Sequence, residues 1–178
     1  SGTSSFESQP LVVDGVMYVS SPHDHVFALD AATGAIKWTY NPDLPPLQNL
    51  GICCGQTNRG VAYGEGKVFV AQLDSTLVAL DAQTGSPLWR VSVDQWENSK
   101  TETLAPLYID GKVIVGISCA EFFCRGHVTA YSAADGARLW RFYTVPAPGE
   151  FGNETWSGDS WKGGGASVWG TPTFDKDL

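Results

Sequence analysis

The stretch LDAATGAIKW at residues 29–38 returns as LDAQTGSPLW at residues 80–89. A looser third copy, YSAADGARLW, occupies residues 131–140. The tryptophans that end the copies, Trp38, Trp89 and Trp140, are 51 residues apart in both steps (89 − 38 and 140 − 89). A fixed period of this length indicates one supersecondary unit that is repeated in space.

Each copy of this motif is preceded by a signal for a β-hairpin. Asp14-Gly15, Glu65-Gly66 and Asp110-Gly111 each separate two runs of β-branched and aromatic residues. Glycine favours the primed two-residue turns of hairpins because it adopts positive φ at little cost. The Thr-Gly or Asp-Gly of the motif makes a second turn, leading into the strand that carries the tryptophan. Each unit therefore holds about four short antiparallel strands, which is typical of a blade of an all-β β-propeller.

The number of repeats predicts an incomplete ring. Closed propellers usually have about four to eight blades, whereas this chain of 178 residues has three clear units. We interpret residues 1–178 as one partial propeller domain, with units at roughly 7–50, 51–101 and 102–152 and the start of a fourth at 153–178. Residues 172–175 are expected to open that fourth blade. The remainder of the propeller, in the same or a separate chain, is an expected partner, and the tryptophans are expected to pack between blades.

Charge and hydropathy exclude two classes of partner. The formal net charge is −8 and the isoelectric point is about 4.7, which argues against nucleic acid and against anionic membrane surfaces. No run of about 18 apolar residues occurs, so no membrane span is predicted.

The adjacent pair Cys53 and Cys54 is the most unusual local feature. Two free vicinal thiols are one interpretation, and a disulfide between neighbours is the other. Consecutive Cα atoms lie about 3.8 Å apart, below the usual disulfide range. Such a ring would be strained, and proteins keep strain mainly at functional sites. It would also indicate an oxidising compartment, either the periplasm or the outside of the cell.

The third repeat contains an insertion. The two turn glycines are 19 residues apart in the first two units and 25 apart in the third, so six residues were added within 117–126. Insertions in one copy usually map to a loop on one face, often the binding face. This insertion carries Glu121 among apolar neighbours. Glu121 is either a solvated surface residue or a functional carboxylate.

Two further irregular stretches flank the repeats. Residues 47–60 contain the cysteine pair and Arg59, and residues 153–170 are rich in tryptophan and glycine and include Trp169. Glycine clusters allow close approach to the backbone, and an indole offers a flat stacking face. An aromatic ring, a disulfide ring, an arginine and a carboxylate would together suit a planar, anionic ligand.

The sequence as a whole resembles a known family, the quinoprotein alcohol dehydrogenases. These are eight-bladed propellers that bind pyrroloquinoline quinone. The resemblance rests on Cys53-Cys54 with residues 58–60 (NRG), on residues 118–121 (SCAE) with Arg125-Gly126, and on residues 163–165 (GGG) with Trp169. It covers almost the whole chain and corresponds to roughly the first three blades of that fold.

The resemblance implies a role for each of these residues. Cys53 and Cys54 would form a vicinal disulfide against one face of the quinone, and Trp169 would stack on the other. Glu121 would bind a metal ion, Ca²⁺ or alternatively a lanthanide, because hard cations prefer oxygen ligands. The remaining cofactor-binding positions implied are Glu7, Arg59, Thr103, Ser118, Cys119 and Ala120. Cys119 stands where the family commonly has glycine, and a disulfide with Cys124 is left open.

The activity implied is the oxidation of an alcohol to an aldehyde or ketone, with electrons passed to a cytochrome c or similar acceptor. The family's general-base aspartate lies in later blades, beyond Leu178, so no catalytic residue is assigned and this part alone is expected to be inactive. A periplasmic or secreted location is expected. The alternative is a non-catalytic propeller scaffold for protein partners, although a scaffold has no need of the cysteine pair, Arg59, Glu121 and Trp169.

Overall fold

Three four-stranded antiparallel β-sheets make up the computed structural model, which describes residues 6–177. The first sheet contains β1 (Leu11–Val13), β2 (Val16–Ser20), β3 (Val26–Asp30) and β4 (Ile36–Tyr40). The second contains β5 (Ala62–Gly64), β6 (Lys67–Ala71), β7 (Thr76–Asp81) and β8 (Pro87–Ser92). The third contains β9 (Leu107–Ile109), β10 (Lys112–Gly116), β11 (His127–Ser132) and β12 (Arg138–Tyr143).

Every sheet is a meander whose strands pair in chain order, so the predicted blades of four antiparallel strands are confirmed. The predicted hairpin turns are confirmed as well. Asp14 and Gly15 both have positive φ, 48° and 76°, as a type I′ turn requires. The equivalent pairs Glu65-Gly66 and Asp110-Gly111 repeat this conformation.

The side chains of the repeated motif close its turn. The Asp30 carboxylate accepts hydrogen bonds from the Thr33 backbone N–H at 2.9 Å and from the Thr33 hydroxyl at 2.9 Å. Asp81 and Thr84 repeat this pair at 2.8 and 3.0 Å. In the looser third copy, Ser132 takes the place of the aspartate and accepts from the Ala134 N–H at 3.3 Å. The motif therefore fixes the turn between the third and fourth strands of each blade.

In the second and third blades, the motif also packs against the tryptophan of the preceding blade. Trp38 is 8% exposed, and its indole N–H donates to the Ala82 carbonyl at 3.0 Å. A Cβ placed on Gly85, next to that carbonyl, would lie 2.5 Å from the Trp38 ring. Trp89 makes the same contacts one blade later, with Ala133 and Gly136. The predicted packing of tryptophans between blades is confirmed at these two positions, and Trp140 is 43% exposed.

The apolar core consists of layers between blades. Between the first and second sheets it contains Tyr18, Val26, Val68, Val70 and Leu80. Between the second and third sheets it contains Phe69, Leu77, Val113, Val115 and Tyr131. The sheets thus bury their faces against each other, as consecutive blades of a propeller do.

Only 3₁₀ turns, and no α-helix, occur in the described range. They cover Pro22–Asp24, Leu47–Asn49, Trp96–Asn98, Ala120–Phe122, Asn153–Thr155 and Ser160–Gly163. Within residues 6–177 no helix has the length and apolar character needed to cross a membrane. Residues 172–175 are not assigned to a strand, and the fourth blade and the exact unit boundaries stay predictions. Residues 1–5 and 178 of the predicted domain lie outside the described part.

Candidate functional site

The three irregular stretches of the sequence meet around one cavity of about 280 Å³. The stretch after the first blade brings Cys53, Cys54 and Arg59, and the insertion in the third blade brings Glu121. The stretch after the third blade brings Trp169. The complete lining comprises Gly51, Ile52, Cys53, Cys54, Gly55, Thr57, Arg59, Thr101, Thr103, Ser118, Glu121, Phe122, Ser167 and Trp169.

Two flat groups contribute to the cavity wall. Cys53 and Cys54 are joined in a disulfide with a Cα–Cα distance of 3.8 Å, which decides between the two interpretations that the sequence left open. Trp169 lines the same cavity and is 55% exposed. A disulfide ring and an accessible indole thus face a common space.

Arg59 is held in place from several sides. One guanidinium nitrogen lies 2.9 Å from the Glu7 carboxylate. The other donates to the Thr103 hydroxyl at 2.9 Å and to the Thr103 carbonyl at 3.2 Å. The guanidinium carbon lies 4.9 Å from the centre of the Trp169 ring. Its position next to the indole is therefore fixed, as a bidentate partner for an anionic ligand requires.

Hydroxyl groups form a second polar wall. Thr103 and Ser118 lie side by side, with their hydroxyl oxygens 2.9 Å apart. A short antiparallel bridge between Thr101 and Ser118 aligns the two backbones, through N–H to carbonyl distances of 2.8 and 3.1 Å. Thr101 and Thr103 both line the cavity, whereas Glu102 between them does not.

Asn58, the neighbour of Arg59, points away from the cavity into the protein. Its side-chain amide donates to Asp24 at 2.8 Å and to the Ala71 carbonyl at 3.1 Å, and its oxygen accepts from the Ser20 hydroxyl at 2.6 Å. Burial raises the pKa of Asp24 to about 7, although the hydrogen bonds that it accepts from Asn58 and from the Leu73 backbone N–H oppose the shift. Asn58 therefore anchors the loop that presents Arg59.

Glu121 stands at the rim next to the disulfide. One Glu121 carboxylate oxygen and the sulfur atoms of Cys53 and Cys54 all lie within 4.8 Å of one another. The loop that carries it is closed by a second disulfide between Cys119 and Cys124, which answers the other open question of the sequence.

Three residues with an implied cofactor role lie outside the cavity lining. Cys119 is 1% exposed and packs with Ile117 and Cys124 beneath the loop. Ala120 begins the 3₁₀ turn that presents Glu121, and Glu7, which forms an ion pair with Arg59, is not part of the lining. Their direct contact with a cofactor stays a prediction.

Glu102 is a buried carboxyl group that sequence reasoning missed. It is 0% exposed, and neither carboxylate oxygen has a hydrogen-bond partner in the described part of the chain. Burial raises its pKa well above the usual range for glutamate, while Arg141 opposes the shift. Glu102 lies between Thr101 and Thr103, which line the cavity, but is itself absent from the lining.

The lining fits a flat, anionic molecule with a cation at its edge. The disulfide and the indole offer apolar faces. Arg59 offers a positive charge and paired N–H donors, and the Thr103 and Ser118 hydroxyls offer further hydrogen bonds. The Glu121 carboxylate offers oxygen to a hard cation. These groups come from four separate segments, so their convergence depends on the propeller fold.

Comparison with known proteins gives a consistent assignment. Residues 1–178 match the family model described as the β-propeller domain of glucose/ethanol/alcohol dehydrogenases, of the pyrroloquinoline quinone type. Quinohemoprotein alcohol dehydrogenase ADH-IIG of Pseudomonas putida is 42% identical over 184 residues, which cover 97% of this chain and 26% of that protein. Its solved structure superposes with a TM-score of 0.91 at 41% identity, covering 99% of this chain and 28% of that one.

The names of two further relatives mention a metal and a cytochrome. A lanthanide-dependent methanol dehydrogenase of Methylorubrum extorquens is 38% identical over 192 residues, covering 97% of this chain and 32% of that protein. A 1-butanol dehydrogenase (cytochrome c) of Thauera butanivorans is 46% identical over 145 residues, covering 81% and 20%. The chain thus spans between about a fifth and a third of the length of these relatives.

Proposed function

The chain belongs to the quinoprotein alcohol dehydrogenases, the family that depends on pyrroloquinoline quinone, and on that premise we propose that its cavity binds this quinone and a metal ion for the oxidation of an alcohol. The observation that carries the proposal is the convergence of the Cys53–Cys54 disulfide, Trp169, Arg59 and Glu121 around one cavity. Each group suits one part of a flat, tricarboxylated quinone.

Binding and orientation are the tasks of the cavity walls. The quinone ring system would lie between the disulfide and the indole, which would hold it by van der Waals contact on both faces. Arg59 would pair with a carboxylate of the quinone, and the Thr103 and Ser118 hydroxyls would hydrogen-bond its oxygens. Because Glu7 and Thr103 already hold Arg59, little side-chain freedom is lost when the ligand binds.

The metal ion would sit at the edge of the quinone, with Glu121 as its ligand from this part of the protein. A cation there supports the reaction as a Lewis acid, and the bound quinone supplies the two-electron redox chemistry. Ca²⁺ is the metal first expected for an oxygen-ligand site. The lanthanide-dependent relative supports a lanthanide as the alternative.

Electron transfer completes the proposed activity. We propose a cytochrome c or similar protein as the acceptor, supported by the relative named a 1-butanol dehydrogenase (cytochrome c). Two disulfides favour an oxidising compartment, the periplasm or the outside of the cell. The general base that removes the alcohol proton is expected in later blades, so we propose that the described part alone is inactive.

An activity assay on the full-length protein tests this function. The apoprotein is mixed with pyrroloquinoline quinone and either Ca²⁺ or La³⁺, and reduction of an artificial dye is followed on adding alcohols. We expect dye reduction only when quinone, metal and alcohol are all present. Absence of both dye reduction and quinone binding with every metal would favour the non-catalytic scaffold instead.

A further inference from the structure

We propose that the Cys119–Cys124 disulfide is a positioning device, which holds the Glu121 carboxylate next to the Cys53–Cys54 ring and thereby sets the affinity of the cavity for its metal ion. This inference rests on the proposed function in taking Glu121 as the metal ligand. It adds that a cross-link outside the cavity controls how well that ligand is placed.

Within the part of the chain that the structure describes, the Glu121 side chain has no hydrogen bond or ion pair. It is exposed, and no donor contacts its carboxylate among residues 6–177. Most carboxylates that bind a metal are themselves held by hydrogen bonds from an outer layer of residues. Since such partners are lacking here, the backbone of the loop must provide the placement.

At Glu121 and Phe122 this loop is open on two sides. Glu121 and Phe122 form one wall of the cofactor cavity and also one wall of a second, open groove of about 680 Å³. The other side of that groove is lined by Asn98, Ser99 and Lys100. Glu121 and Phe122 therefore form a ridge between the cofactor cavity and this groove.

The two ends of the ridge are, by contrast, firmly anchored. Cys119 and Cys124 are 1% and 4% exposed and pack against the fully buried Ile117. The Cys124 carbonyl accepts a hydrogen bond from the Gly165 N–H at 2.9 Å, while the bond from the Phe122 N–H to the Cys119 carbonyl at 3.0 Å closes the turn within the loop. The disulfide joins these ends with their Cα atoms 5.7 Å apart.

Cross-linking across five positions leaves the four residues between the cysteines few conformations. Phe123, which follows the turn, is left-handed, with φ of 53°, and is 86% exposed, so burial of its side chain contributes little to holding this conformation. Without the cross-link, Glu121 would sample positions away from the Cys53–Cys54 ring. The metal would then have to order the loop on binding, which lowers its apparent affinity.

The experiment compares metal binding by two variants of the full-length protein with the wild type. C119A/C124A removes the cross-link, and C119V/C124V removes it while refilling the apolar volume against Ile117. Phe123→Ala is the matched control, since it alters the same loop and keeps the disulfide. Each apoprotein is first titrated with pyrroloquinoline quinone alone, and then the quinone-loaded protein is titrated with Ca²⁺ and with Eu³⁺.

We expect both cross-link variants to need about 10- to 100-fold more metal for half-saturation, as when an outer-layer partner is lost. Eu³⁺ luminescence should report additional bound water, and the metal-free quinone titration separates this loss of metal affinity from any effect of Cys119 on quinone binding. Wild-type metal affinity in a folded cross-link variant overturns the inference. A wild-type protein that binds neither quinone nor metal overturns the proposed function itself, which is a separate outcome.

Discussion

Replacing Arg59 with lysine tests the cofactor site most informatively, because it keeps the positive charge and removes the planar fork. The Arg59 guanidinium contacts the Glu7 carboxylate at 2.9 Å and the Thr103 hydroxyl at 2.9 Å, and its carbon lies 4.9 Å from the centre of the Trp169 ring. A lysine ammonium cannot hold these partners and also offer two parallel N–H donors to a carboxylate. One lost hydrogen bond to a charged group is worth about 1.5–3 kcal/mol.

That loss corresponds to a quinone affinity about 10- to 150-fold weaker, at about 1.4 kcal/mol for each factor of ten. The assay is titration of the apoprotein with pyrroloquinoline quinone, followed by quenching of tryptophan fluorescence. Arg90→Lys is the matched control, since Arg90 lies on the second blade outside the cavity and donates to the Tyr40 hydroxyl of the first blade. Equal quinone affinity in Arg59→Lys and Arg90→Lys would refute the role assigned to Arg59.

Three further predictions concern the metal, the buried carboxyl and the blade interface. Glu121→Gln should raise the metal needed for half-saturation at least about tenfold, since a charged oxygen ligand is lost, while quinone titration without metal stays unchanged. Burial raises the folded-state pKa of Glu102 above the ordinary value of 4.5. The carboxyl group therefore does not destabilise the fold below pH 4.5, and it destabilises the fold increasingly as the pH rises from there toward the folded-state pKa. Glu102→Met should therefore stabilise the protein by about 2 kcal/mol at pH 8 and much less at pH 4, measured by urea unfolding; equal effects at both pH values would contradict this. Gly85→Ala should cost about 1–3 kcal/mol more than Gly66→Ala, because both glycines have φ near 70° but only a Cβ at Gly85 meets the Trp38 ring; equal melting temperatures would contradict it.

The fold was predictable because its signals are local and repeated. The Asp-Gly turns and the motif that ends at Trp38 and Trp89 each encode one element within about ten residues, and repetition removes the ambiguity of a single copy. The residue against which each tryptophan packs could not be predicted in this way. It is the turn glycine of the next blade, and only the packing of two blades shows that Gly85 meets Trp38.

The candidate site was predictable where chemistry is visible in the residue type. A vicinal cysteine pair, an arginine in a glycine-flanked loop and a carboxylate in an insertion each stand out from a repeat background. The orientation of neighbouring side chains was not predictable, because it depends on burial. Asn58 and Arg59 are adjacent yet point to the interior and to the cavity. Glu102 became visible only once the bridge between Thr101 and Ser118 placed it inside.

A crystal structure of the full-length protein with pyrroloquinoline quinone and a lanthanide is the most direct test of the proposed site. We predict the quinone between the Cys53–Cys54 disulfide and the Trp169 indole, with a carboxylate on Arg59. An anomalous peak should mark the metal at about 2.3–2.6 Å from a Glu121 carboxylate oxygen. A quinone bound elsewhere, or a metal coordinated without Glu121, would contradict the assignment of this cavity.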